Sequence, residues 1–244
     1  MAWKKIYLDL ALVPPSLFLL VLYHIFLCYK IKKTPLQTIT GVNSVGRRLW
    51  VETLIEDTDK KNILAVQTMR NMIMQSTLVG TISALLSTGL AAVMSSTYSL
   101  NKQQPAENTI LFGAHHNELL VAVKYATPLM FLLLSFFCSS LSIRFLNQVG
   151  FLINVPLHEP CLISSEYVSQ LLEKGCVFNI IATRILYIAC PLLMWILGPF
   201  PVLLCSLALL PVLYNLDFLL ISKQGKSAGN MVEDVKTKLC YRIL

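Results

Sequence analysis

Apolar and polar positions alternate along this chain in blocks long enough to cross a bilayer. A stretch of about 20 apolar residues at 1.5 Å per residue matches a hydrocarbon core of about 30 Å. Such stretches run over 6–29, 71–97 and 125–146. The last apolar region, 176–221, is too long for one crossing. Gly198-Pro199-Phe200-Pro201 interrupts it, and two prolines with a glycine withdraw backbone donors and favour a turn. The pattern therefore predicts five spans, the last two over 176–197 and 202–221. The fold class is all-α, a polytopic transmembrane bundle forming a single membrane domain over 1–244, with 222–244 as a short cytosolic tail. Pro14-Pro15 predicts a kink near one end of the first span.

Two segments between spans have helical periodicity of another kind. Over 45–57, Trp50, Val51, Leu54 and Ile55 fall within one arc of about 140°, with Arg48, Glu52, Glu56 and Asp57 outside it. Ser44 is placed to cap its start, and Arg47 is placed to snorkel toward phosphates. Such a helix rests on the bilayer surface or packs against the protein's own cytosolic face. A second short helix is predicted from Ser165 to Lys174, with Val168, Leu171 and Leu172 on one side and Gly175 ending it.

Charge orients the threading. Only 14% of the 244 residues are charged, and mean hydropathy is +0.65, far from a soluble domain's composition. Five spans leave sixteen Lys and Arg on one side and four (Lys4, Lys5, Lys102, Lys124) on the other. The heavier side is the cytosol by the positive-inside rule, so the amino terminus is outside and the carboxyl terminus inside. The +7 net charge flanks apolar spans, which points to anionic lipid headgroups as partners and away from nucleic acid. The first span is a retained anchor, with no cleavage site after it. Which membrane the protein occupies is not encoded in these features.

Candidate chemistry is sparse. There is no G-x-S-x-G, H-E-x-x-H, P-loop or G-x-G-x-x-G sequence, and no cofactor is expected. Seven cysteines form no C-x-x-C pair and read as small apolar residues, with Cys28 a base-rate palmitoylation site. His115, His116 and Glu118 read as a wet external loop, since adjacent histidines do not project alike. His24 reads as a packed, hydrogen-bonded residue and Asp9 as interfacial. In the second span, Gly80, Ala84, Thr88, Ala92 and Ser96 recur every fourth residue, beside Ser83, Ser87, Ala91 and Ser95. Small residues permit close helix approach in lipid, within the chain or across a homo-oligomer. The alternative is a hydroxyl-lined path through Ser83, Ser87, Thr88 and Ser95. A hairpin turning at Gly198 would bring Arg184 and Asp217 to one face, where pairing neutralises two charges that are costly near hydrocarbon.

Four ordered strings carry a family resemblance. They are 43–50 (NSVGRRLW), 67–74 (QTMRNMIM), Ser142-Ile143-Arg144 followed by 151–154 (FLIN), and the set from Arg184-Ile185-Leu186-Tyr187 through Leu193-Met194-Trp195 and Gly198-Pro199-Phe200-Pro201 to Leu213-Tyr214-Asn215-Leu216-Asp217. Together they resemble the membrane family known as domain of unknown function 599, found in plants and bacteria, with the plant branch the closer match. The resemblance implies a multi-pass membrane protein and brings no reaction, cofactor or substrate. Its polar motif residues, Asn43, Arg47, Trp50, Gln67, Arg70, Asn71, Arg144, Arg184 and Asp217, all fall on the cytosolic side of the threading above. They form a candidate cytosolic-face cluster. The expected role is a non-enzymatic scaffold or accessory subunit. A small oligomeric transporter or channel, or a membrane-embedded lipid-modifying enzyme, is the alternative.

Overall fold

The structure, a computed structural model, describes residues 2–56, 62–103, 114–154 and 164–218. Over these residues it is almost entirely helical: α1 (Ala2–Lys33), a 3-10 turn (Pro35–Gln37), α2 (Ile39–Glu56), α3 (Asn62–Gln103), α4 (Ala114–Leu152), α5 (Ser165–Leu197) and α6 (Pro199–Asp217). Five are long and apolar enough to cross a membrane: Ala11–Lys33, Ile63–Thr97, Val121–Leu152, Ser165–Leu197 and Pro199–Asp217. The protein is thus an all-α, multi-pass membrane protein. The 222–244 tail lies outside the described residues.

The break between the last two spans is one residue long. Gly198 has φ 151°, a conformation that only glycine adopts without strain, and Pro199 follows at the first position of α6. α1 stays helical through Pro14 and Pro15, with the Ser16 hydroxyl donating to the Leu12 carbonyl at 2.6 Å.

α4 is the central helix, with α3 on one side and α5 on the other; α1 and α6 pair and join the bundle through α5. The α3/α4/α5 seam is made of serines. Ser83 and Ser135 hydroxyls meet at 2.9 Å, and Ser76 and Ser142 at 3.0 Å. Ser135 also donates to the Ala182 carbonyl (2.9 Å) and Ser142 to the Gly175 carbonyl (2.7 Å), so each bridges three helices. Between them Gly80 faces Ser139, where an added Cβ would come within 3.3 Å of the serine Cβ. Small side chains let backbones approach, and the Ser76, Ser83, Ser135 and Ser142 hydroxyls then find neighbouring oxygens, while Ser139 Oγ, buried opposite Gly80, has no hydrogen-bond partner among the described residues.

These contacts divide the small-residue row of α3 and correct two other expectations. The every-fourth row from Gly80 to Ser96 does not stay in the seam. Each step of four turns about 400° and so drifts about 40° around the helix. Gly80 is buried and Ala84 half-buried, but Thr88, Ala92 and Ser96 are exposed. The buried stripe instead follows Ser76, Val79, Gly80, Ser83, Ser87 and Leu90, a spacing that holds one face. Gly175 does not end a helix: α5 runs through it, because its missing Cβ admits Leu146 Cδ2 (3.0 Å from where that Cβ would stand). Nor does Ser44 cap α2, which begins at Ile39; the Thr38 hydroxyl accepts from the Gly41 amide (3.3 Å).

α2 packs on the protein. Val51 is fully buried among Met69, Leu146, Val149, Val168, Leu171 and Leu172, with Trp50 against the same cluster. This core joins α2 to the start of α3, the end of α4 and the start of α5. Thr38 and Phe218 pair through an isolated antiparallel bridge, so α6 ends beside the α1–α2 corner. One end of the bundle, hereafter the basic end, therefore gathers α2 and the bases at 30–33, 47, 48, 70, 144 and 174.

Candidate functional site

The strongest polar feature inside a span joins three helices. Arg184 of α5 meets Asp217, the last residue of α6, with two parallel bonds: Nη1 donates to Oδ2 at 2.8 Å and Nη2 to Oδ1. Tyr23 of α1 donates its hydroxyl to the same Oδ2. Asp217 is 2% exposed, and the Arg184 side chain 17%. Arg184 lies 13 residues before Leu197, about 20 Å along the helix. Tyr23 lies seven residues before Lys30, about 10 Å. If Leu197 marks one edge of a core about 30 Å thick, the Arg184 backbone sits about 10 Å inside the other edge and that of Asp217, eighteen residues after Pro199, about 3 Å inside it. Lys124 standing over the Trp195 ring at 5.6 Å is consistent with an interface near Leu197.

The pairing satisfies a physical requirement. Either charge alone would be costly at this depth, but the bidentate geometry cancels both. Asp217 stands at the negative end of the α6 dipole, where a carboxylate is disfavoured, and the guanidinium offsets that as well. With both carboxylate oxygens engaged, the cluster works as a clasp holding α1, α5 and α6. The pair anticipated from the hairpin is present; Tyr23 was not anticipated, because nothing local in the sequence marks a residue 194 positions from its partner.

The nine motif residues do not form one site. Arg47 makes a two-pronged bond to Glu173 (Nε to Oε2 3.0 Å, Nη2 to Oε1 2.9 Å), fastening α2 to α5. Arg48 reaches Glu166 at 2.8 Å. Trp50 belongs to the basic-end core. Arg184 and Asp217 belong to the clasp. Asn43, Gln67, Arg70, Asn71 and Arg144 are exposed. On α3, Gln67, Arg70 and Asn71 point away from the Ser76–Gly80 face. Arg144 is two residues past Ser142, about 200° around α4. Glu166 and Glu173 went unnoticed in the sequence, although their i, i+7 spacing places both on one face of α5.

His24 is held by Nδ1 against the Leu20 carbonyl at 2.7 Å. The side chains of Asp9, His115, His116 and Glu118 lie outside the described residues. Among the described residues, no three His, Cys, Asp or Glu side chains gather as a metal site.

No curated protein and no solved structure matches this chain. Residues 11–220 match the family described as "Protein of unknown function, DUF599", a range that takes in the clasp, the serine seam and the α2–α5 fastening. The chain belongs to the DUF599 family.

Proposed function

We propose that the protein is a non-enzymatic membrane scaffold or accessory subunit that assembles with a further helix, in a second copy or another subunit, through the outer half of α3. One observation carries this reading. Thr88, Gly89, Ala91, Ala92, Ser95 and Ser96 are exposed together, and a Cβ on Gly89 would meet nothing within 4 Å. A face of small residues gains little against mobile lipid and much against a close helix. Two of its hydroxyls are bonded within α3: Thr88 donates to the Ala84 carbonyl and Ser96 to that of Ala92, both at 3.0 Å. Ser83 and Ser87 likewise bond their own helix, at 2.9 and 2.8 Å. Hydroxyls committed in this way favour assembly over a conducting path.

The test is cysteine cross-linking in native membranes, with single cysteines at Thr88, Ala92 and Ser96 and at Leu78 as a comparison. Cross-links at the three small positions, lost on adding Gly89→Leu and Ala91→Leu, support the reading. Equal or absent cross-linking at all positions, with a monomer in nanodiscs and no co-purifying subunit, refutes it.

A further inference from the structure

We propose that the outward seam between α1 and α6 at the basic end binds an anionic phospholipid, with Lys30 and Lys33 holding its headgroup phosphate. The inference is independent of assembly through the outer half of α3.

Contact comes first. Phe26 of α1 and Phe218, the residue after α6, have ring centroids 6.0 Å apart, and the Phe218 centroid lies 4.8 Å from that of Tyr214. The Lys30 ammonium stands 6.0 Å from the centroid of the same Phe26 ring. Beside it, the Lys33 ammonium stands 5.5 Å from the centroid of Tyr29 and donates to its hydroxyl at 3.1 Å. Lys30 and Lys33 are three apart and so neighbours on α1. Two cations are therefore gathered at the ring cluster that joins the ends of two helices. Each ammonium keeps donors to spare, which is what a phosphate needs.

Depth comes second. With the Asp217 backbone about 3 Å inside the edge of the hydrocarbon core, Phe218 stands at that edge, and Phe26 meets it there. Lys30 is four residues further along α1, about 6 Å, within the headgroup layer. Lys33 is seven residues further, about 10 Å, from where a long side chain reaches back.

Charge comes third. Neither lysine has an ionic partner among the described residues. Residues 10–51 and 174–216 contain no Asp or Glu. Asp217 is taken by Arg184 and Tyr23, Glu166 by Arg48 and Glu173 by Arg47. Glu52 stands 13 residues past Ile39, about 20 Å along α2 from the corner beside Phe218.

Shape comes last. Into the bilayer, exposed Leu19, Leu22 and Phe26 continue the Lys30–Lys33 stripe of α1 at spacings of three and four. Exposed Leu207 and Tyr214, seven apart, continue the Phe218 side of α6. Leu19 to Lys30 and Leu207 to Phe218 are 11 residues each, about 16 Å. That is half of a core about 30 Å thick, the depth of one leaflet's acyl chains. A soluble anion would use the lysines and leave this apolar track uncovered; a lipid of the basic-side leaflet uses both.

The test uses the full chain in phosphatidylcholine nanodiscs carrying a minor fraction of spin-labelled phosphatidylserine or phosphatidylcholine. The immobilised lipid fraction is read by electron spin resonance. The expected result is a preference for phosphatidylserine that falls about five-fold for each lysine removed, in Lys30→Gln and Lys33→Gln. K30R/K33R keeps the preference, which separates charge from folding damage. Lys32→Gln keeps it too, because that exposed residue is turned about 200° around α1 from Lys30. Inorganic phosphate at constant ionic strength leaves the lipid in place. Three outcomes overturn the proposal: no preference in the wild type; a loss in Lys32→Gln equal to that in Lys30→Gln; or displacement by inorganic phosphate.

Discussion

Asp217→Asn isolates the clasp. The substitution keeps shape and a hydrogen-bonding carboxamide, but leaves Arg184 as an unpaired cation inside the span. Breaking a buried pair by removing one partner costs about 3–5 kcal/mol. A lone arginine at the centre of a membrane helix costs about 2.5–3.5 kcal/mol on insertion scales. The lower range applies here, because the Arg184 side chain keeps 17% exposure and lies off the bilayer centre, close enough to snorkel. About 3 kcal/mol is expected. At about 2–4 °C per kcal/mol for a chain of this size, melting falls by about 6–12 °C. Tryptophan fluorescence in nanodiscs reads the transition. Tyr23→Phe removes one charge-assisted bond and keeps the ion pair, so it costs about 1.5 kcal/mol. R184L/D217L removes both charges and is close to wild type, because desolvation no longer has to be offset. The charge reversal R184D/D217R restores expression lost in either single reversal. If R184L and D217L are additive in the double variant, or if Asp217→Asn melts like wild type, the clasp is not a coupled unit and the reasoning fails.

Other consequences are equally concrete. Gly41→Ala places a Cβ 2.1 Å from the Pro35 carbonyl oxygen, a backbone atom that cannot swing aside, so it destabilises the α1–α2 corner by about 1–3 kcal/mol or more; proteolysis between α1 and α2 reads it. Ser135→Ala removes bonds to Ser83 and Ala182 and costs about 0.6–1.7 kcal/mol by unfolding in mixed micelles, whereas Ser140→Ala, at an exposed position, costs nothing measurable. Glu173→Gln weakens the Arg47 fastening by about 1 kcal/mol or less, because both side chains keep solvent contact; hydrogen exchange in α2 accelerates while α5 within the span is unchanged. Gly80→Leu forces α3 off α4 at Ser139 and lowers melting, while Gly46→Leu, in open space on α2, does not.

Much of this architecture was legible in order along the chain. Span number, the Gly198 break and family membership follow from local facts: apolar length, backbone donors withdrawn by proline, and ordered motifs. The Arg184–Asp217 pair was also within reach, because one turn at Gly198 fixes which residues of two adjoining helices can meet. Tyr23 was not, since its partner is set by the packing of α1 on α6, and no short-range rule orders those two helices. The small residues of α3 were visible as a four-residue row, but not which of them meet α4 within the chain: Gly80 does, while Thr88, Ala92 and Ser96 stay on the outer surface. Only contact with Ser135, Ser139 and Ser142 selects the 3.6-residue stripe that faces α4. Gly175 carried the signal of a helix stop, yet the bulk of Leu146 makes it a packing position. The motif residues share one end of the molecule because threading puts them there. Whether they share a site depends on helix rotation, and rotation is decided by which side chains pack best once all the helices are in place.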